Sequence, residues 1–358
     1  MTTRVYTLPV EQTRWHVEGG AQTVFNWEYD EGRDRLLNLY EKGKAKQWNS
    51  RERIDWTTEV SHDNPFESID AYVPIYGSEI WEEMGTRDRA QLKHHLAAWQ
   101  FSQFLHGEQG ALICASKIVQ TVPDIDSKFY AATQVMDEAR HVETYSRFLY
   151  EKLDLAYPIN PHLKSLLDNV VSDTRWDMTY LGMQVLIEGL ALAAFGLIRD
   201  IAENPLARAV TAYVMEDEAR HVAFGRLALR DFYPQLSERE RDEREEFCVE
   251  ACYLMRDRFL AEEVWDNLGL PLAECLAFVN ESEAQMQFRS LLFTRIAPTL
   301  KDIGLFGPRV RSAFADMGVL GYSDVDLDAL SRDDERTAEE IDSARRQQVS
   351  DTIEAASP

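Results

Sequence analysis

The chain has 358 residues, of which 62 are acidic and 38 basic, for a formal net charge of −24. That length can bury a substantial core, and that charge argues against nucleic acid or an anionic membrane surface as a partner. Four cysteines, Cys114, Cys248, Cys252 and Cys275, form neither a Cys-x-x-Cys pair nor a disulfide framework; they read as small buried hydrophobes in a cytoplasmic chain.

Residues 1–85 open without an apolar export segment. Trp15, Trp27, Trp48, Trp56 and Trp81 lie among Gly19-Gly20, Asn64-Pro65 and Pro74, which predicts an irregular arm with one short helix over 30–46. From residue 87, Leu92, Leu96, Trp99, Phe104, Leu105, Leu112, Ile113, Ile118 and Val119 recur at three- and four-residue steps, predicting a helix to about residue 122. Pro123-Asp124 ends it and starts a second over 126–153. Pro158 and Pro161 mark a longer connection to a third over 163–202, and Asn204-Pro205 opens a fourth to residue 232. The tight connections make the first and second, and the third and fourth, antiparallel neighbours. Outer helices are expected over 237–267, 283–303 and 308–317. The acidic run from residue 321, with Asp324, Asp326, Asp328 and Asp333-Asp334-Glu335, predicts a flexible tail over 321–358. The domains expected are thus an arm (1–85), an all-α domain (86–320) and a tail.

Two stretches carry chemistry. Asp137-Glu138-Ala139-Arg140-His141 is repeated as Asp217-Glu218-Ala219-Arg220-His221, and thirty residues before each motif glutamate lies another, Glu108 and Glu188. Glu-x-x-His on a helix puts both side chains on one face, one turn apart. Glu188 is the single ionisable residue of 181–198, and an isolated carboxylate in an apolar interior needs a partner. That run is long enough to be misread as membrane-spanning, but its central carboxylate argues for a bundle helix. Four helices pointing Glu108, Glu138, His141, Glu188, Glu218 and His221 inward supply four carboxylates and two imidazoles, the ligand set of a two-iron or two-manganese carboxylate bundle. Such oxygen-rich sets suit iron or manganese better than zinc. Glu108, Glu138 and His141 would serve one ion and Glu188, Glu218 and His221 the other, with Glu138 and Glu218 as bridges. Residues one turn away, Phe104, Leu112, Gln184, Leu192 and Gly225, are expected to line the pocket, together with Tyr145.

On these residues the chain resembles the ferritin-like superfamily over 86–235, within its oxygen-activating branch of ribonucleotide reductase small subunits, bacterial monooxygenase hydroxylases and related di-iron oxygenases. The resemblance implies a four-helix bundle with outer helices and an N-terminal arm, two iron ions or a manganese and iron pair, and O2 as co-substrate. A metal-bound histidine commonly donates its other N–H to a carboxylate. By the resemblance that pairing crosses between helices, Asp137 to His221 and Asp217 to His141, with Arg140 and Arg220 neutralising the aspartates; read alone, the four are surface charges. Tyr145 matches the radical tyrosine of reductase small subunits, and its plain reading is a buried tyrosine with a satisfied hydroxyl. An electron-transfer role for Trp48 or Trp56 rests on the same analogy, against simple packing.

The chain also departs from each relative. Glu108 stands where most reductase small subunits have Asp, the C-terminus offers no tyrosine for radical transfer, and aryl-amine N-oxygenases add a third histidine where this chain has Val214. The leading expectation is a di-iron monooxygenase that hydroxylates or N-oxygenates a small organic substrate. A ligand-binding oxidase or radical-storing protein is the alternative, and an iron-handling ferroxidase the third. With no flavin or iron–sulfur motif, electrons must come from a separate reductase or ferredoxin. A homodimer is expected from the resemblance.

Overall fold

The structure, a computed structural model, describes residues 5–6, 15–29 and 32–356. The expected lack of an export segment at residues 1–4 and 7–14, the helix start at 30–31 and the chain end at 357–358 lie outside these.

Four long helices make the centre. They are preceded by α1 (Asp34–Ala45) in the arm; then come α2 (Thr86–Thr121) and α3 (Ile125–Phe148). The helix α4 (Pro161–Ser172) leads to α5 (Trp176–Ile201) and α6 (Pro205–Phe232). The starts follow from capping: the Asp124 carboxylate accepts from Ser127 N–H, and the Asn204 side chain accepts from Leu206 and Ala207 N–H with Pro205 at the first helical position. α2 packs along α3, and α5 along α6, which buries the apolar faces of all four. Of the apolar stretch in α5, 83% is buried inside the fold.

The helix predicted over 163–202 is two helices. The Asp173 carboxylate takes the Arg175 N–H, while Lys117 Nζ donates to the Val171 and Asp173 carbonyls. This local turn leaves α4 outside, and only α5 enters the bundle. Within α5, Leu181–Ile187 is a π-helical segment that ends at Glu188. The expected helix over 237–267 also divides, into α7 (Glu238–Asp257) and a short helix Glu262–Asn267, at Ala261 with φ 54°. Its start is a capping box of Ser237 and Glu240. The periodicity missed α8 (Leu272–Glu281) and joined α9 (Glu283–Leu291) to α10 (Ile296–Asp302). α11 (Pro308–Asp316) falls where expected.

The acidic end is not a free tail. Leu327–Ala356 forms α12, which packs on α6. Its Asp334 is buried between Arg199 and Arg295, at 3.2 and 2.6 Å, and Asp342 accepts from Arg53 and from the Tyr213 hydroxyl at 2.7 Å. Acidic composition suggests solvation; Arg199 of α5, Arg295 before α10 and Arg53 of the arm supply partners instead.

Candidate metal centre

The bundle brings all six predicted ligands to one buried place. Glu108 comes from α2, Glu138 and His141 from α3, Glu188 from α5, and Glu218 and His221 from α6, each at most 5% exposed. Their ligand atoms form two overlapping sets, Glu108, Glu138, His141 and Glu218, and Glu138, Glu188, Glu218 and His221, within 4.8 Å of one another in each. Glu138 and Glu218 belong to both. His141 Nδ1 lies 3.2 Å from Glu108, 3.3 Å from Glu138 and 3.0 Å from Glu218; His221 Nδ1 lies 3.0 Å from Glu138 and 3.4 Å from Glu218.

The outer nitrogens are held as tightly. His141 Nε2–H donates to Asp217 at 3.1 Å and His221 Nε2–H to Asp137 at 3.2 Å, each across to the other motif helix. This tautomer leaves both Nδ1 lone pairs facing the carboxylates. Arg140 bridges Asp137 and Asp217, and Arg220 pairs with Asp217. Three further partners were not among the residues expected around the site. Gln47 donates to Asp137 and accepts from Arg140, both at 2.7 Å, and Trp48 Nε1 donates to Asp217 at 2.8 Å, so the arm closes this side of the centre. Gln134, one turn before Glu138, donates to Glu138 and Glu188 at 2.9 Å each; a polar residue on that buried helical stripe was its available sign.

The electrostatics describe a site short of cations. Burial, then the field of Glu218, pushes the Glu108 carboxyl well above its ordinary range, and burial with Glu218 and Glu138 does the same to Glu188. Burial would raise Glu138 too, but His221 and His141 hold it well below. Burial would keep the imidazoles neutral, yet Glu108 pulls His141 well up, and Glu138 with Glu218 pulls His221 up. One oxygen each of Glu138 and Glu188, both oxygens of Glu218 and Nδ1 of His221 have no hydrogen-bond partner among the described residues. Orphaned buried acceptors of this kind are rare without an ion to take them. The set therefore fits two hard or borderline cations.

The small cavity beside the cluster, about 20 Å³, is lined by Phe104, Gly107, Glu108, Ala111, Met183, Ile187, Glu188, Ala191, Phe195, Glu218 and Arg258 among others. Of the expected lining residues Phe104 is there. Leu112, Gln184, Leu192 and Gly225 are not. The π-helical segment adds a residue per turn ahead of Glu188, so Met183 rather than Gln184 shares its face. Gln184 instead packs on Gly225, where an added Cβ would sit 2.6 Å from the Gln184 Cβ. Leu192 faces a cleft under α12. Tyr145 packs among Phe101, Phe104 and Phe195, and its hydroxyl has no hydrogen-bond partner among the described residues.

Fold and cluster together define a ferritin-like helical bundle built around a two-metal carboxylate site, and the comparisons with known proteins give the family. Residues 30–304 match the family described as p-aminobenzoate N-oxygenase AurF, and the chain belongs to that family. It is an oxidoreductase, an oxygenase of the di-iron kind. Val214 is fully buried, so membership does not bring a third histidine at that position. No curated protein matches the sequence. Among solved structures, a Synechococcus protein with aldehyde deformylating oxidase activity is 16% identical, covering 62% of this chain and 94% of its own, at a TM-score of 0.43. A mutant of an R2-like ligand-binding oxidase with a Mn/Fe cofactor is 16% identical, covering 78% and 100%, at 0.46.

Proposed function

We propose that Glu108, Glu138, His141, Glu188, Glu218 and His221 hold the two ions, with Glu138 and Glu218 shared, and that the centre N-oxygenates or hydroxylates a small organic molecule. The observation that carries this is the pair of overlapping donor sets with its unpartnered buried oxygens. The ions, when bound, supply the activation and reduction of O2. The chain supplies the rest. Asp217 and Asp137 fix the tautomer and aim of the imidazoles, Arg140 and Arg220 balance the aspartates, and Gln134 sets the orientation of Glu138 and Glu188. Phe104, Ile187, Ala191 and Phe195 keep water away from the reacting position. The family's description, an N-oxygenase of an aromatic amine, favours nitrogen over carbon as the atom oxidised.

Electrons enter from a separate reductase or ferredoxin in a cytoplasmic setting, by this reading, and Trp48, hydrogen-bonded through Asp217 to His141, lies on the side where the arm covers the centre. Exposed Phe25, Trp27 and Tyr29 on the arm give an apolar edge suited to a second copy in a homodimer. A second reading, a redox role for Tyr145, is favoured by one observation: its buried hydroxyl lacks a partner.

Metal analysis of protein produced with iron and manganese tests the main reading. Two ions per chain are expected, falling to one or none in Glu138→Ala, with helical content unchanged. A folded wild-type chain that takes up neither metal would sink it. A lasting radical signal lost in Tyr145→Phe would promote the second reading.

A further inference from the structure

Under α12 lies a cleft of about 120 Å³ that none of the six metal ligands lines; its walls come from α1, α6, the first turns of α12, Leu192 of α5 and Arg295. Four cations face it, Lys42, Arg220, Arg226 and Arg295, against two carboxylates, Asp328 and Glu335. The other walls are apolar apart from Ser331, whose hydroxyl donates to the Leu327 carbonyl. In a chain of net charge −24, a cleft with more cations than anions runs against the charge of the whole molecule. The N-terminal end of α12, at Leu327 and Asp328, adds positive potential to it.

The acceptors at hand do not use up the donors, since each guanidinium carries about five N–H groups and the ammonium about three. Arg220 donates to the Glu216 carbonyl at 2.9 Å and to the Asp217 carboxylate, and lies 3.8 Å from Asp137. Arg226 donates to Asp328 at 2.9 Å and stands 3.8 Å from Asp302. The Arg295 side chain has a single bond, to Asp334 at 2.6 Å. Among the described residues the Nε atoms of Arg220 and Arg226 are buried without a hydrogen-bond partner, and Lys42 and Glu335, on the same cleft, form no ion pair. Arg220 is 5% exposed, so bulk water does little to replace a missing acceptor. The cleft's 120 Å³ equals about four waters at roughly 30 Å³ each, the bulk of one ion built from four oxygens.

We propose that this cleft is a binding site for a small tetrahedral oxyanion, a free phosphate or sulfate ion, held by Lys42, Arg226 and Arg295 in the field of Arg220. Asp328, whose side chain is 69% exposed, is the group such an ion displaces from Arg226. The bound ion joins α1, α6 and the chain before α10 where α12 covers them. It also draws on Arg220, which pairs with Asp217, the acceptor of His141 Nε2–H. The binding itself does not depend on the two-metal reading.

Calorimetric titration of the full-length protein with sodium sulfate and with sodium phosphate, at an ionic strength fixed by sodium chloride, tests this on metal-loaded and metal-stripped samples. Saturable binding at the cleft is expected in both. Lys42→Met, at an exposed position, and Arg226→Met should each weaken it about tenfold or more, the loss of one charge-assisted hydrogen bond, with helical content unchanged. Arg239→Met, on the exposed start of α7, should leave it as it is. Glycerol 3-phosphate, too bulky for the cleft, should bind about tenfold more weakly than phosphate or worse; equal binding would assign the site to the phosphate group of a larger molecule and overturn the free ion. No saturable binding above the chloride background, or binding unchanged in both Lys42→Met and Arg226→Met, overturns the proposal. Binding that disappears when the metal is stripped also overturns it, because the ion would then sit on the metals, whereas oxyanion binding in a protein that takes up no metal would support the cleft and sink the two-metal reading alone.

Discussion

Asp217 is the most heavily used side chain around the centre. It accepts from His141 Nε2, Trp48 Nε1, Arg140 and Arg220, and His141 with the two arginines holds its carboxyl well below the ordinary range against the opposing effect of burial. Asp137, its counterpart, accepts from His221, Gln47 and Arg140. The two are alike in sequence, each preceding the motif glutamate, and each is tied to the arm, Asp137 through Gln47 and Asp217 through Trp48, yet only Asp217 is hydrogen-bonded to both arginines. Asp217→Ala leaves two arginines crowded on Asp137 and frees the His141 ring to rotate. It should cost about 3–5 kcal/mol in denaturant unfolding, the range for breaking a buried pair, and weaken metal uptake about 10–100-fold, the effect of losing such a partner. Asp137→Ala should be the milder change on both measures. Equal effects would mean that the second arginine on Asp217 contributes nothing.

At the level of elements, the ligand helices were legible because each signal there is local: a cap at Asp124 or Asn204, a Glu-x-x-His on one face, a thirty-residue interval. The π-helical turn at Leu181–Ile187 was not, because its mostly apolar, wholly buried sequence is compatible with either winding, and the close approach of Gln184 to Gly225 of α6 is a tertiary contact. That one turn displaced Gln184 from the predicted pocket. The helix at the acidic end is hidden for a different reason. Leu327, Leu330, Asp334, Ala338 and Ile341 do fall at helical spacing, but the acidic composition around them points to solvation, and the partners that make Asp334 a core residue, Arg199 and Arg295, lie 135 and 39 positions away. Asp334→Ala should therefore destabilise like the loss of a buried partner, by about 3–5 kcal/mol, and should raise proteolysis within α12 before the bundle is cut. A surface-like change below about 0.5 kcal/mol would mean that α12 does not depend on this pairing.

For the whole molecule, the centre ties stability to pH and to metal together. In the metal-free protein Glu108 and Glu188 titrate above their unfolded values, and so do His141 and His221. A group raised on folding contributes stability that is complete below its unfolded pKa, about 4.3 for glutamate and 6.5 for histidine, and that is lost as pH rises through the folded value. Glu138 and Asp217 are lowered; their contribution is complete above about 4 and is lost as pH falls through their folded values, which lie below the working range. Between about pH 5 and 9 only the raised groups of the centre change, so the centre's contribution to the stripped protein should fall as pH rises, whereas His94, His95 and His106, lowered by burial, act the opposite way below about 6.5 in stripped and loaded protein alike. Metal replaces those protons, and ligand binding to the folded state adds stability that grows as proton competition fades, about 2.7 kcal/mol when free metal is a hundredfold above its Kd. Thermal unfolding of stripped and loaded protein at pH 5.5 and 8.5 reads this directly. The gap in Tm should be wider at pH 8.5, mainly because the stripped protein melts earlier there. A gap that narrows with rising pH would mean that the carboxylates are already ionised and balanced without metal, and the six residues would then be a salt-bridge network rather than a cation site.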